Sequence, residues 1–154
     1  MYESKFMESA IGLAHKAYEI GETPVGAVIV KDGKIVGTGF NRRESEKNAL
    51  HHAEIEAINM ACKTLGGWRL WQCDIYVTLE PCPMCAGAII NARIPNVYFG
   101  AYDKKNGSCG SVVNLFELPY NHKPNCMGGF MEEECSSILS DFFKKLRKGK
   151  SHQC

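Results

Sequence analysis

A pair of cysteines constrains this chain more than any other feature. Cys82 and Cys85 lie in segment 78–85, TLEPCPMC, and can bind one metal ion from a single turn, while the distant His52 can supply a third ligand. Three protein ligands leave the fourth position of a zinc ion open for water, which distinguishes a catalytic site from a structural one. Glu54, two residues after His52, is placed to exchange protons with that water. The sequence therefore predicts a catalytic centre that holds one Zn²⁺ per subunit.

Other interpretations of the cysteine pair fit the sequence less well. A lone Cys-x-x-Cys also occurs in structural zinc knuckles and in redox pairs, but redox pairs usually lie near the first strand–helix unit. A structural site needs a fourth ligand, and no other residue has suitable spacing. Two adjacent histidines leave an ambiguity, because His52 fits the pattern H-x-E and His51 fits H-x-x-E. We assign His52 as the ligand and His51 as a neighbour without an assigned role.

The predicted ligands stand at the starts of helices, where charged ligand forms are favoured. Cys82 precedes Pro83, a residue favoured in the first turn of a helix, and His52 and Glu54 begin another predicted helix. Unpaired backbone N–H groups and the positive end of the helix dipole stabilise thiolates. Two thiolates, a neutral imidazole and Zn²⁺ sum to zero charge, so this zinc is a weaker Lewis acid than one held by three histidines. We therefore expect Glu54 to assist as a base.

The composition limits the class of protein. The 154 residues fit one domain, 1–154, and 45% hydrophobic residues suffice for a core. A net charge of +1 gives no overall attraction to nucleic acid or membrane, so a polyanionic partner requires a local basic patch. No apolar run is long enough to span a bilayer, and the first residues lack the layout of a signal peptide. We expect a cytoplasmic protein with reduced cysteines. Six of the eight cysteines lack ligand spacing and are expected to be free thiols: Cys62, Cys73, Cys109, Cys126, Cys135 and Cys154.

Hydrophobic periodicity predicts alternating helices and strands. In chain order we predict a helix at 4–20, strands at 25–30 and 35–40 joined by a turn at Asp32-Gly33, helix 51–64, strand 74–79, helix 83–92, strand 97–100, a short helix at 112–116 and a final helix at 132–148. Loops are predicted at 41–48 and 103–111, and irregular backbone at 119–129. This order predicts an α/β protein, a three-layer α/β/α sandwich with a mixed central sheet. Helix 51–64 is expected to bury Ile55, Ile58, Ala61 and Cys62.

The final predicted helix carries a basic end. Segment 142–148, FFKKLRK, interleaves aromatic side chains with cations, a pattern typical of nucleic-acid-binding surfaces. The same pattern also fits a helix that packs its apolar face on the core and exposes its basic end to solvent. Taken alone, the residues favour this second interpretation.

The chain as a whole resembles the cytidine deaminase-like superfamily, and within it the bacterial tRNA-specific adenosine deaminases. The zinc pattern H-x-E…P-C-x-x-C marks the zinc deaminases in general. Asn121-His122 and the two phenylalanines of the last helix point to the tRNA enzymes. The resemblance covers nearly the whole chain and rests on PVGAV at 24–28, HAE at 52–54, WRL at 68–70, YVTLEPC at 76–82, MCAGA at 84–88, RIP at 93–95, FGA at 99–101, NH at 121–122 and LSDFF at 139–143.

This resemblance implies an activity, a partner and a set of contacts. The activity is the hydrolytic conversion of adenosine to inosine at the wobble position of a tRNA anticodon, with Glu54 carrying protons between the attacking water and the base. The anticodon stem-loop is the implied partner, since it presents an unpaired base. Family members form homodimers, so we expect one here. By match to the family pattern, Asn41 hydrogen-bonds the purine, and four further residues touch the RNA: Asp103, Lys105, Phe142 and Arg147.

Two alternatives remain at this stage. Pro83 after Cys82 also occurs in deaminases of free guanine and cytosine, and the family's usual Asp-Pro-Thr-Ala before His-Ala-Glu is replaced here by KNALH at 47–51. A small-molecule deaminase of the same fold is therefore the second candidate. A non-catalytic RNA-binding zinc module is the third, although such a module has no use for Glu54.

Overall fold

The fold is described by a computed structural model that covers residues 1–151, with side chains to residue 149. Helices and strands alternate along the chain as its hydrophobic periodicity predicts. In order they are α1 (Ser4–Glu19), β1 (Gly26–Lys31), β2 (Lys34–Phe40), α2 (Ala53–Leu65), β3 (Asp74–Leu79), α3 (Pro83–Ala92), β4 (Asn96–Ala101), a 3₁₀ helix (Leu115–Glu117), β5 (Asn125–Met127) and α4 (Glu132–Ser151).

The five strands form one mixed sheet in the order β2-β1-β3-β4-β5. Strand β1 is antiparallel to β2 and β3, whereas β3, β4 and β5 run parallel. Successive residues of β3 alternate between two cores: Tyr76 packs with α1 and α4, while Ile75 and Val77 pack with α2 and α3. The predicted three-layer α/β/α sandwich with a mixed sheet is thus confirmed.

Helix α2 lies unusually close to strand β2, because two glycines face it. A Cβ atom added to Gly39 would collide with the Ala53 carbonyl oxygen and lie 2.8 Å from the Ala57 nitrogen. A Cβ atom on Gly37 would collide with the Ala57 carbonyl oxygen. This backbone-to-backbone packing fixes the height of α2 above the sheet, and with it the position of the residues at the start of α2.

The hairpin between β1 and β2 agrees with the prediction. Asp32 and Gly33 have φ angles of 51° and 74°, which are the left-handed values of a two-residue type I′ turn. This turn matches the right-handed twist of the strands that it joins.

Two predictions for the segment after β4 were wrong. The predicted helix at 112–116 is a single 3₁₀ turn, Leu115–Glu117, where the Asn114 side chain accepts a hydrogen bond from the Phe116 N–H. The predicted irregular stretch 119–129 contains strand β5, whose Asn125 N–H donates to the Pro95 carbonyl oxygen at 2.8 Å. Strand β5 has only three residues, of which only Cys126 is half-buried. Such a short strand shows no alternation of apolar and polar residues, so the sequence does not reveal it.

Helix α2 also differs from its prediction. It begins at Ala53 with His52 as its N-terminal cap, two residues later than expected. Its fully buried positions are Ala53, Glu54, Ala57 and Ala61. Ile58 and Cys62 pack at the margin of the core, whereas Ile55 does not belong to it. Small residues form the buried face because the glycines of β2 bring the helix so near.

The described cysteines are reduced and the described helices are short or polar, as the composition predicts. All seven cysteines within the described part of the chain are free thiols, and Cys154 lies outside the described residues. None of the described helices has the length and apolar character needed to cross a membrane.

Candidate metal centre and substrate cleft

The predicted metal ligands lie at the starts of two helices. His52 is the N-terminal cap of α2, and Cys82 is the N-terminal cap of α3, with Pro83 in the first helical position. Cys85 follows one turn later and is fully buried. Because the ligands begin packed helices, their relative positions are set by the packing of α2 and α3 on the sheet. The structure therefore brings together residues that are 30 positions apart in the chain.

The spacing of these three side chains fits a tetrahedral metal ion. The His52 Nδ1 atom lies 3.7 Å from the Sγ atoms of both Cys82 and Cys85. All three candidate ligand atoms lie within 4.8 Å of one another. Zinc–sulfur bonds of about 2.3 Å and zinc–nitrogen bonds of about 2.0–2.1 Å at tetrahedral angles separate sulfur from nitrogen by about 3.6 Å. No fourth His, Cys, Asp or Glu among the described residues joins the group. The donor set thus fits zinc with one position left for water.

The electrostatics of the three groups also favour a cation. The hydrogen bond between the two thiols, followed by that to His52, lowers the pKa of Cys82 to about 4. The same contact raises the pKa of Cys85, which acts as the hydrogen-bond donor. The hydrogen bond to Cys82 raises the pKa of His52. A divalent cation bound between these side chains would take the place of protons on the two sulfurs, because metal ligands bind in their deprotonated forms.

Glu54 lies beside these ligands in the first turn of α2. Its side chain is only 4% exposed. Burial raises the pKa of Glu54 to about 7, and the negative charge of Cys82 acts in the same direction. A carboxyl group with a pKa near neutrality can both accept and return a proton, which is the property required of a general acid–base residue.

An open cleft of about 770 Å³ leads to this centre. It lies at the carboxyl ends of β3 and β4, the usual position of ligand sites in α/β sheets. Four of the five residues expected to bind substrate line it: Asn41, Asp103, Lys105 and Arg147. The other lining residues are Thr23, Val25, Arg43, His52, Glu54, Leu79, Glu80, Cys82, Tyr102, Lys104, Asn106, Leu139 and Phe143.

Asn41 is held in place by helix α2. Its Oδ1 atom accepts a hydrogen bond of 2.9 Å from the Ala53 N–H, an unpaired donor at the start of the helix. The side-chain oxygen is therefore occupied, and the amide NH₂ group remains to donate within the cleft. This arrangement ties a candidate substrate contact directly to the residue that follows His52.

His51 forms an ion-pair network with neighbouring side chains and does not belong to the His-Cys-Cys group. Its Nε2 atom lies 3.1 Å from the Glu56 Oε2 atom, which also receives hydrogen bonds from the Arg42 guanidinium. The three side chains form a partly exposed network on the outer side of the segment that leads to His52. Of the two histidines, His52 is the one whose ring nitrogen lies near the two cysteine sulfurs.

The loop that carries Asp103 and Lys105 is folded around the Asp103 side chain. The Asp103 Oδ1 atom accepts hydrogen bonds of 3.1 Å from the N–H groups of Lys105 and Asn106. The Asp103 carbonyl oxygen also accepts from the Gly107 N–H at 2.8 Å. Asp103 therefore shapes the loop, while the side chains of Lys104 and Lys105 face the cleft.

Phe142 lies away from the cleft. Its ring packs against Tyr18 of α1 with 5.8 Å between ring centroids. The neighbouring Phe143 lines the cleft instead, together with Arg147 one turn further along α4. Consecutive helical residues point about 100° apart, so a shift of one residue decides which phenylalanine reaches the cleft.

Sequence reasoning missed several residues that line the cleft. Arg43, Tyr102 and Lys104 are neighbours of predicted site residues, and adjacency to Asn41, Asp103 and Lys105 was the available signal. Tyr102 is half exposed and packs edge-to-face on Phe99, with ring centroids 5.0 Å apart. The cleft thus presents two exposed aromatic rings, Tyr102 and Phe143, beside four cations.

Comparisons with known proteins agree with this geometry. Residues 1–147 match the family model of the MafB19-like deaminases. The tRNA-specific adenosine deaminase of Bacillus subtilis (strain 168) is 49% identical over 146 residues, which cover 94% of this chain and 91% of that protein. A solved structure from a study of A-to-I editing by tRNA:A34 deaminases superposes with a TM-score of 0.86 at 45% identity. The match covers 89% of this chain and all of the solved one.

A small-molecule deaminase shares the fold at a greater distance. The guanine deaminase of Bacillus subtilis superposes with a TM-score of 0.63 at 29% identity, over 96% of this chain and 95% of that one. Both the identity and the structural agreement are lower than for the tRNA:A34 deaminase structure. This chain therefore belongs to the MafB19-like deaminase family and, within it, to the tRNA-specific adenosine deaminases.

Proposed function

We propose that this protein is a zinc-dependent hydrolase that converts adenosine to inosine at the wobble position of a tRNA anticodon. The observation that carries the proposal is the open cleft in which a His-Cys-Cys group and a buried carboxylate lie beneath a rim of cations. The 49% identity to a tRNA-specific adenosine deaminase over nearly the whole chain supports the same activity.

The candidate metal centre consists of His52, Cys82 and Cys85, which would hold one Zn²⁺ per subunit. These residues would thereby supply Lewis-acid activation of a water molecule for attack on C6 of the base. The spacing of the three ligand atoms and the lowered pKa of Cys82 support this assignment. The absence of a fourth protein ligand among the described residues supports a catalytic rather than a structural ion.

Glu54 is the proton carrier. It accepts the proton of the attacking water, delivers it to N1 of the adenine, and assists the departure of ammonia. Its burial beside the ligands and its pKa of about 7 suit both directions of proton transfer. A non-catalytic zinc module would have no function for a carboxyl group whose burial opposes its ionisation.

The rim of the cleft binds RNA. Arg43, Lys104, Lys105 and Arg147 surround the opening, although the net charge of the chain is only +1. Cations concentrated at one opening are suited to the phosphates of an anticodon loop, whereas a free base carries no charge to attract. The adenine enters the cleft from an unpaired loop and accepts a hydrogen bond from the Asn41 NH₂ group.

Three further expectations complete this proposal. The anticodon stem-loop is the partner, with Asp103 shaping the loop that meets it and Arg147 binding its backbone. The protein acts as a homodimer in the cytoplasm. Phe142 supports α4 from behind, through Tyr18, rather than contacting the base.

The proposal is tested with an arginine tRNA anticodon stem-loop that carries A at the wobble position. The expected product is inosine, while guanine and cytosine supplied separately remain unchanged. Rapid formation of xanthine or uracil without inosine would instead establish the small-molecule alternative. Replacement of Glu54→Gln should abolish turnover while the zinc content stays at that of the wild type. Glu117→Gln, the same change at an exposed position, is the matched control and should leave turnover intact.

A further inference from the structure

A buried carboxylate outside the proposed chemistry lies between the metal centre and the 103–111 loop. Glu80 follows strand β3 and precedes Pro81-Cys82, and it is only 2% exposed. Within the described part of the chain, no Lys, Arg or His side chain forms an ion pair with it. Four hydrogen bonds from the 103–111 loop satisfy its two oxygens instead, three from backbone N–H groups and one from a side-chain hydroxyl.

The hydrogen bonds divide evenly between the two oxygens. Oε1 accepts from the Asp103 N–H at 3.1 Å and from the Ser111 hydroxyl. Oε2 accepts from the Cys109 N–H at 3.1 Å and from the Ser111 N–H at 3.0 Å. The donors come from both ends and the interior of the loop, so one side chain closes the whole segment. Hydrogen bonds to a charged acceptor are stronger than those between neutral groups.

The same point of the backbone is joined to the metal ligands and to the sheet. The Glu80 N–H donates to the Ala101 carbonyl oxygen at 2.8 Å, which extends the pairing of β3 with β4. The Pro81 carbonyl oxygen accepts from the Ser108 N–H at 2.8 Å. Glu80 therefore connects the loop rigidly to the turn that carries Cys82.

We propose that Glu80 is a positioning residue that fixes the 103–111 loop relative to the metal centre, so that RNA bound by the loop presents its base at the correct depth. This inference rests on the proposed function for the part that concerns RNA. Although Glu80 borders the cleft, the loop engages both of its carboxylate oxygens, so we assign it no part in the reaction itself. Its effect is transmitted through Asp103, Lys104 and Lys105, which the loop displays in the cleft.

The first test replaces Glu80→Gln. An amide has only one acceptor oxygen. An NH₂ group at the Oε2 position faces the N–H groups of Cys109 and Ser111 and loses both hydrogen bonds, whereas at the Oε1 position it loses the bond from the Asp103 N–H while the Ser111 hydroxyl can turn to accept. We expect the amides of residues 103–111 to exchange with solvent at least about 10-fold faster. Each lost hydrogen bond to a charged group raises the equilibrium constant for local opening of the loop by about 10-fold. The amides of β3 and the zinc content should not change.

Kinetics supply the second readout. We expect kcat/KM for the anticodon stem-loop to fall by about 10- to 100-fold, mostly through KM, because a displaced loop misplaces the bound RNA. Glu117→Gln should match the wild type in exchange and in kinetics. Unchanged exchange in the 103–111 loop would overturn the proposal, and so would a fall in activity that is accompanied by loss of zinc.

Two milder variants keep the test decisive if Glu80→Gln folds poorly. Ser111→Ala removes only the hydroxyl donor at an exposed residue, so it should produce a smaller change of the same kind. Gly107→Ala leaves Glu80 intact, but its Cβ atom would collide with the Glu80 carboxylate and lie 2.5 Å from the Asp103 carbonyl oxygen. If both variants exchange and bind as the wild type does, the proposal fails. Lack of any stem-loop deamination by the wild type would refute the proposed function, while the exchange data still report on the loop.

Discussion

The close approach of helix α2 to strand β2 leads to a quantitative prediction for Gly39→Ala. Ordinary van der Waals contact begins at 3.4 Å, and the added Cβ atom would lie 2.8 Å from the Ala57 nitrogen and 2.9 Å from the Glu56 Cβ atom. Relief of these contacts requires α2 to move by at least about 0.6 Å, and relief of the collision with the Ala53 carbonyl oxygen requires about 1 Å. His52 immediately precedes Ala53 and must move with it.

This movement should weaken metal binding and turnover. The His52 Nδ1 atom lies 3.7 Å from both cysteine sulfurs, close to the spacing that tetrahedral zinc requires. A displacement of about 1 Å breaks that match, so we expect zinc affinity to fall by about 10- to 100-fold. Turnover should fall by on the order of 100-fold, because Glu54 moves with the same helix. Overpacking should also lower the free energy of unfolding by about 1–3 kcal/mol.

Two control variants separate the effect on the site from the effect on stability. Gly37→Ala collides with the Ala57 carbonyl oxygen, further from the ligands, so it should destabilise the fold similarly but lower zinc affinity less. Gly12→Ala meets nothing within 4 Å on an exposed face of α1 and should stabilise the protein by about 0.5–1 kcal/mol. Competition with a chromophoric chelator and urea denaturation measure the two quantities. A folded Gly39→Ala protein with wild-type zinc affinity would refute the reasoning.

Three further predictions follow from contacts around the cleft. Burial alone would raise the pKa of Glu22, but hydrogen bonds from the Ser45 and Glu44 N–H groups outweigh it and lower the pKa. Glu22→Gln should therefore destabilise the protein above about pH 4.5, and urea titrations should show this difference disappearing as the pH falls through the lowered pKa. Phe143→Ala should raise KM for the stem-loop, whereas Phe142→Ala should mainly lower the melting temperature; the reverse result would contradict the placement of the two rings. Asn41→Ala should cost about 1 kcal/mol of stability in denaturation experiments, through the lost cap on α2, in addition to weaker substrate binding; unchanged stability would show that this cap is dispensable.

The sequence predicts the His-Cys-Cys group that could hold a metal because its signal is short and local. Cys82 and Cys85 are one helical turn apart, and Pro83 marks the helix start between them. His52 and Glu54 likewise share a helix start. The turn at Asp32-Gly33 is equally local, since its left-handed backbone favours these residue types.

The features that sequence reasoning missed depend on contacts between distant segments. Strand β5 exists through its pairing with β4, and three residues carry too little pattern to reveal it. The buried face of α2 consists mainly of small residues because Gly37 and Gly39 of β2 lie opposite it and allow a close approach. The role of Glu80 depends on donors more than twenty residues further along the chain. The choice between Phe142 and Phe143 depends on the rotation of α4 about its axis, which its packing on α1 decides.

The separation of helix-borne ligands from loop-borne cations has an evolutionary consequence. The candidate metal ligands and Glu54 stand in the first turns of helices or just before them, whereas the cations that border the cleft stand mainly on a loop and on the last turns of α4. Mutation of the 103–111 loop or of the last turns of α4 can therefore alter which molecule is admitted while the hydrolytic step is inherited intact. A scaffold divided in this way can diversify toward nucleobases, nucleosides or polynucleotides by exchanging its periphery, and directed evolution of new specificities should begin there.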